Sequence, residues 1–148
     1  MRLVKIALIA ITLALGAGCA ATGPKYSEMA ASIPSLAADK GRIYFFRPDT
    51  MLGAAVTSDI RLNGKVIGKS ERGSFFFVDE APGNMTVSTS TETEKQLTFK
   101  LATGETKYVK TTVSFGVLVG RINSELVSGT EAKAEIAGLA YTGALIRK

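Results

Sequence analysis

The chain has no histidine, no tryptophan and one cysteine. Each shortage removes a class of chemistry. Zinc fingers and Cys/His metal sites need several such ligands, and a Ser-His-Asp triad or Cys-His dyad needs a histidine. A lone cysteine forms no internal disulfide framework. Composition alone leaves open a metal site built only of carboxylates and a Ser-Lys hydrolase. The hydrolase lacks its spacing, since no Ser-x-x-Lys follows residue 18. Lys and Arg are scattered without aromatic interleaving, so the chain has no nucleic-acid-binding pattern.

What is present begins with an address. Met1-Arg2-Leu3-Val4-Lys5 is a short basic start, and Ile6 to Ala17 is apolar apart from Thr12. That run falls short of the about 20 residues a membrane-spanning helix needs. A basic start, a short apolar run and small residues make a secretory signal. Leu15-Gly16-Ala17-Gly18-Cys19-Ala20 resembles a bacterial lipobox, in which the cysteine thiol receives a diacylglycerol and the leader is cut just before it. Gly16 departs from the usual leucine, with Leu15 one place further out. The expected organisation is a lipoprotein signal peptide over 1–18, a tether over 19–40 and a folded domain over 41–148. Arg2 and Lys5 leave with the leader, lowering the net charge from +5 to +3. Several acyl chains hold a protein stably on a bilayer. Ala20, not Asp, follows Cys19. In the sorting pattern of Gram-negative lipoproteins, that resemblance implies the periplasmic face of the outer membrane.

From Gly41 the texture becomes that of an all-β domain. Runs are short, β-branched or aromatic, and bounded by turn residues. Arg42 to Arg47 reads as a strand stopped by Pro48-Asp49. Ala55 to Leu62 and Lys65 to Ser70 flank Asn63-Gly64, the strongest short hairpin signal. Ser74 to Val78 is followed by the turn Ala81-Pro82-Gly83. Met85, Val87 and Thr89 alternate with polar residues, as do Leu97, Phe99 and Leu101. Lys107 to Phe115 reads as a long strand with Val109, Thr111, Val113 and Phe115 on one face. Val117 to Ile122 is its expected return partner. Such alternation gives each sheet one buried face, so the fold class expected is a small two-sheet β-sandwich. Thr130 to Ala137 reads as a short C-terminal helix capped by Thr130, and Leu139 to Ile146 as a final edge strand. Val127, Ile136 and Leu139 are placed to face the sheet. In the tether, Thr22-Gly23-Pro24 is a breaker cluster, Ser27 to Ser32 suits a helical turn, and Ile33 and Leu36 are placed to dock.

The candidate chemistry is sparse. Phe75-Phe76-Phe77 reads as core or edge packing, with one face core and the other core too if a helix covers it; the alternative is an exposed aromatic platform for sugar or lipid. Arg47-Pro48-Asp49 reads as a strand end with a solvated arginine, the alternative being an anion site. Phe115 to Arg121 is glycine-spaced but lacks the ending of a phosphate loop, which leaves a bulged or bent strand. The hydroxyls of Thr86 to Thr98 suit the wet face of a strand or a glycan-binding surface. Glu80, Glu92, Glu94 and Glu105 sit at expected turns, where nothing fixes the carboxylate separation a glycosidase needs.

Several motifs are familiar in order and spacing: Arg42-Ile-Tyr-Phe-Phe-Arg-Pro48, Leu62-Asn-Gly-Lys-Val-Ile-Gly68, Gly73-Ser-Phe-Phe-Phe-Val78, Ala81-Pro-Gly83 and Gly104-Glu-Thr-Lys-Tyr-Val109. Together they resemble an uncharacterised bacterial lipoprotein domain family, a numbered domain of unknown function. The resemblance covers about Gly41 to Leu139. The part from Asn63-Gly64 to Pro82-Gly83 is also distantly similar to PEGA-type envelope modules. The resemblance implies a small β-sandwich and no established activity or site residues.

The expectation for function is a non-enzymatic, lipid-anchored binding or adaptor module of the cell envelope. Its alternative is a carrier of a lipid or other apolar ligand between the two sheets. The site residue expected is Cys19, for lipidation, with no catalytic residues, cofactor or metal. The partners expected are the membrane, through the acyl chains, and an envelope protein.

Overall fold

The computed structural model describes residues 20–89, 95–115 and 120–143. Cys19 and the leader lie outside them, as do 90–94, 116–119 and 144–148. The elements in chain order are α1 (Tyr26–Met29), a 3-10 turn (Ala30–Ser32), β1 (Gly41–Arg47), β2 (Ser58–Leu62), β3 (Lys65–Ser70) and β4 (Ser74–Glu80). There follow β5 (Gly83–Thr89), β6 (Lys95–Leu101), β7 (Thr106–Phe115), β8 (Gly120–Val127), α2 (Gly129–Ile136) and β9 (Ala140–Tyr141).

The strands form two sheets, so the fold is all-β with a short helix near the C-terminus. One sheet has the order β8-β7-β1-β4-β9 and the other β3-β2-β5-β6. β1 runs parallel to β7 and β4 parallel to β9; every other pair is antiparallel. The β2–β3 hairpin turns on Asn63 (φ 50°) and Gly64 (φ 84°). Positive φ at both positions is what a type I′ turn requires.

Register decides which side chains meet. Phe45 lies opposite Phe76 on one neighbouring strand and Val109 on the other. These three face the second sheet. The Phe45 and Phe76 rings stack with centroids 5.1 Å apart. Gly68 of β3 lies against the tip of Phe76, where a Cβ would come within 2.6 Å of the ring. Ile60, Leu62, Met85, Val87 and Leu101 complete this layer and are buried. Full burial of such side chains stabilises by about 1.5–3 kcal/mol each.

The opposite face of the first sheet is also covered. Phe75 is fully buried beneath Tyr26 and Tyr141, with ring centroids 5.5 Å and 5.4 Å away. Ala132, Ile136 and Leu139 are buried in the same core, and Val127 packs against it. This explains why all seven residues of β1 are buried. The triple phenylalanine is therefore core on both faces, with a helix over one of them.

Residues 21–33 pack on the domain. The Ala21 amide donates to the Arg72 carbonyl at 3.2 Å, and the Tyr26 amide to the Leu139 carbonyl at 3.1 Å. The Tyr141 amide donates to the Pro24 carbonyl at 2.9 Å, and Met29 is buried.

Three local expectations are corrected. The helix cap is Ser128, not Thr130: the Ser128 hydroxyl accepts from the Glu131 amide at 3.2 Å, so the helix begins at Gly129. The strand expected from Ala55 starts at Ser58, because residues 51–57 turn instead of extending. Phe115, expected on the buried face of β7, is 63% exposed. Along the face it shares with Val109 and Thr111, burial fades toward the strand end: those two are buried, Val113 is half-buried against Gly53, and Phe115 is exposed. Of the expected final strand, Ala140 and Tyr141 form a sheet edge, and Ala144 to Ile146 lie outside the described residues.

Candidate functional site: the cleft beside Arg47

β1 ends at Arg47, where Pro48 withholds an amide from the ladder. β7 continues: its last β1 partner is Lys110, opposite Phe46, yet the strand reaches Phe115. The sheet therefore splits. Into the split opens a cleft of about 370 Å³, lined by Arg47, Pro48, Leu52, Lys110, Val113 and Glu135, with Thr50, Thr111 and Thr112 between them.

Arg47 is 2% exposed, which overturns the expectation of a solvated arginine. Its position on the core face of β1 forces it inward. The guanidinium donates to the carbonyls of Gly53 and Val56, and to that of Ser70 at 3.3 Å. Among the described residues no carboxylate pairs with it. Burial, and then the positive charge of Arg72, push its pKa down from the ordinary arginine value. It stays charged across the biological pH range. Buried guanidinium charge held only by backbone carbonyls is uncommon, because buried charges ordinarily pair.

Around Arg47 the end of the sandwich is polar inside. The hydroxyls of Ser70 and Thr111 meet at 2.8 Å, joining β3 of one sheet to β7 of the other. The Thr89 hydroxyl donates to the Ile122 carbonyl at 2.9 Å, a second link between sheets. On the outer side of the cleft, the Lys110 ammonium lies 2.6 Å from Glu135 and 3.4 Å from Glu131. The hydrogen bond to Glu135 raises the Lys110 pKa against a smaller opposing effect of burial. Pro48, Leu52, Val113 and the threonine methyls give the cleft apolar walls. The arrangement suits a ligand with an apolar body and an anionic or acceptor group near Arg47.

The other sequence candidates are not brought together. Glu80 ends β4, while Glu105 sits in the β6–β7 turn, accepting from the Ala102 amide at 2.8 Å and pairing with Lys107 at 2.7 Å. Glu92, Glu94 and the hydroxyls of residues 90–93 lie outside the described residues. So does Cys19. Residues 116–119 do too; they join β7 to β8, whose register pairs Phe115 with Gly120. Among the described residues no cluster of three or more acidic, Cys or His side chains gathers to hold a metal. Nor is any described helix long and apolar enough to cross a membrane.

The family described as "Protein of unknown function (DUF2846)" matches residues 37–122. The chain belongs to the DUF2846 family. The match runs from just before β1 into β8 and includes Arg47, its loop and Thr111. The DUF2846 match leaves out α1 and α2, which pack on the outer face of the first sheet, and β9, the edge strand of that sheet. An uncharacterized protein of Haemophilus influenzae is 33% identical over 98 residues, covering 66% of this chain and 58% of that protein. The chain thus spans less than two thirds of that relative. No solved structure matches.

The sequence offered Arg47-Pro48-Asp49 as an anion site only as the alternative to a solvated strand end, and the burial of Arg47 was not legible. The available signal was an arginine at the inward-facing end of a strand otherwise built of apolar residues.

Proposed function

We propose that this protein is a non-enzymatic, lipid-anchored binding or adaptor module at the periplasmic face of the outer membrane. The observation that carries the reading is the join between anchor and domain. Cys19 lies two residues before Ala21, whose amide is fastened to the Arg72 carbonyl. An acyl chain on Cys19 would hold a rigid domain, with its cleft, close to a bilayer. The basic start, short apolar run and lipobox resemblance support the anchor itself.

The test is in-cell crosslinking of the anchored protein, purification from solubilised envelope, and mass spectrometry. One stoichiometric envelope protein is the expected result. Purified mature protein that turns over an envelope substrate, and loses turnover on a single carboxylate change, overturns it.

The apolar walls and buried cation of the Arg47 cleft favour one second reading, a carrier of a lipid or other apolar ligand. Its ligand would sit in the split of the first sheet, since Phe45, Phe76 and Gly68 pack closely between the sheets. Native mass spectrometry would then recover a bound lipid that Leu52→Arg protein lacks.

A further inference from the structure

The described residues expose five large hydrophobic side chains, and three gather at one end of the fold. Met51 is 80% exposed, Leu52 59% and Phe115 63%. Val66 and Leu126 are the other two, each alone within a strand. Met51 and Leu52 belong to the loop that Arg47 holds. That loop lies against β7: a Cβ on Gly53 would come within 2.5 Å of the Val113 side chain. Val113 and Phe115 are two apart on one strand and so share a face. Gly120, paired with Phe115, lies against Val56 of the same loop. The three exposed side chains therefore crown a single rim.

The anchor arrives at that rim. Arg72 accepts from the Ala21 amide through its carbonyl, and its guanidinium lies 3.1 Å from the Met51 sulfur. Ala20 and Ala21 lie beside Thr57 and Glu71, at the root of the same loop. Cys19 directly precedes Ala20 in the sequence. The opposite end carries the Asn63-Gly64 and Ala102–Glu105 turns, with Val66 exposed near the first of them.

We propose that Met51, Leu52 and Phe115 form a membrane-docking rim that rests in the interface of the bilayer holding Cys19. This rests on the lipid-anchor reading and adds an orientation to it. The first sheet stands with the end of β1 toward the lipid, and the Asn63 and Thr103 turns point away. The Arg47 cleft, with Leu52 on its wall, then opens at headgroup level. Exposed aliphatic and aromatic side chains on a rim behave as interfacial anchors, adding apolar burial to acyl insertion.

The experiment uses the acylated full-length mature protein. Cys19 is the only cysteine and its thiol is consumed by acylation, so Met51→Cys, Leu52→Cys, Phe115→Cys and Thr103→Cys proteins each carry one free thiol. Each is labelled with an environment-sensitive fluorophore and reconstituted into phosphatidylcholine vesicles containing a lipid spin-labelled near its headgroup. The expected result is strong quenching at 51, 52 and 115 and little at 103. Equal quenching at all four positions, or none at any, overturns the rim while leaving the anchor intact. Label burial that depends on protein concentration and not on spin-labelled lipid also overturns it, pointing to a second copy as the occupant. Protein whose intact mass shows no acyl group on Cys19 overturns the anchor reading, and the rim with it. The positions are exposed, so the variants keep the fold; circular dichroism of each checks this.

Discussion

The guanidinium of Arg47 donates to the carbonyl of Val56, nine residues further along the chain. With the bonds to Gly53 and Ser70, this fastens the loop after β1 to the interior of the sandwich. A buried charge thus acts as a structural post for the loop bearing Met51 and Leu52.

Arg47→Met keeps the apolar stem and removes the donors. Three inward carbonyls then lose their partner, and the charge no longer needs burial. The loss dominates, because unsatisfied buried acceptors cost about 1–3 kcal/mol each. The net expected destabilisation is on the order of 3 kcal/mol. Urea unfolding measures it, and amide exchange across residues 50–57 should rise before global unfolding.

Gly68→Val drives a side chain into the ring of Phe76. Phe76 is itself buried and stacked on Phe45. Overpacking of this kind costs about 1–3 kcal/mol. The paired variant Gly68→Val with Phe76→Leu should recover part of the loss, which a double-mutant cycle reads.

The N-terminal segment is part of the fold, so changes there should reach the domain. Met29→Ala is expected to lower stability by about 2 kcal/mol or more, as for other buried methionines. Ser128→Ala removes the cap of α2 and should cost about 1 kcal/mol. A loose tether would show no effect of Met29→Ala in thermal unfolding.

The pH dependence has a definite shape. Burial raises the pKa values of Tyr44, Tyr108 and Tyr141, and the bond to Glu135 raises that of Lys110. A raised folded value means the unfolded chain loses its proton first, so stability is complete below about pH 10 and falls as pH rises further. Glu105 moves the other way: its bonds to Lys107 and the Ala102 amide lower its pKa. Its contribution is present above the ordinary carboxylate value of about 4 and is lost as pH falls through the lower folded value. With no histidine in the chain, the urea midpoint should be nearly level from about pH 6 to 9. A step near pH 6.5 contradicts this.

Much of the fold was legible because local signals agreed with the final packing. Asn63-Gly64 has one dominant use, and alternation along β5 and β6 assigns their faces without tertiary knowledge. The strand order was not legible, since the parallel pairing of β1 with β7 joins residues more than sixty apart. Burial of Arg47 was hidden because arginine at a strand end ordinarily reaches solvent. The inward carbonyls of the loop after β1, with that of Ser70, make burial tolerable. Ser128 was missed as the cap because Gly129 interrupts the helix-forming run after it. Docking of Ile33 was legible as an apolar residue in the tether, and it packs against the core; the fastening of Ala21 and Tyr26 was not, because it runs through backbone hydrogen bonds that no side-chain pattern records.

The anchor proposed is an acylated Cys19 that holds this domain to a membrane. Its most direct measurement is the mass of the N-terminal peptide from protein isolated from the envelope, compared with the Cys19→Ala chain. The expected result is a mature chain beginning at Cys19 with an acyl-glyceryl mass, and loss of membrane fractionation in the variant. An unmodified cysteine, or a variant that fractionates with the outer membrane unchanged, contradicts it.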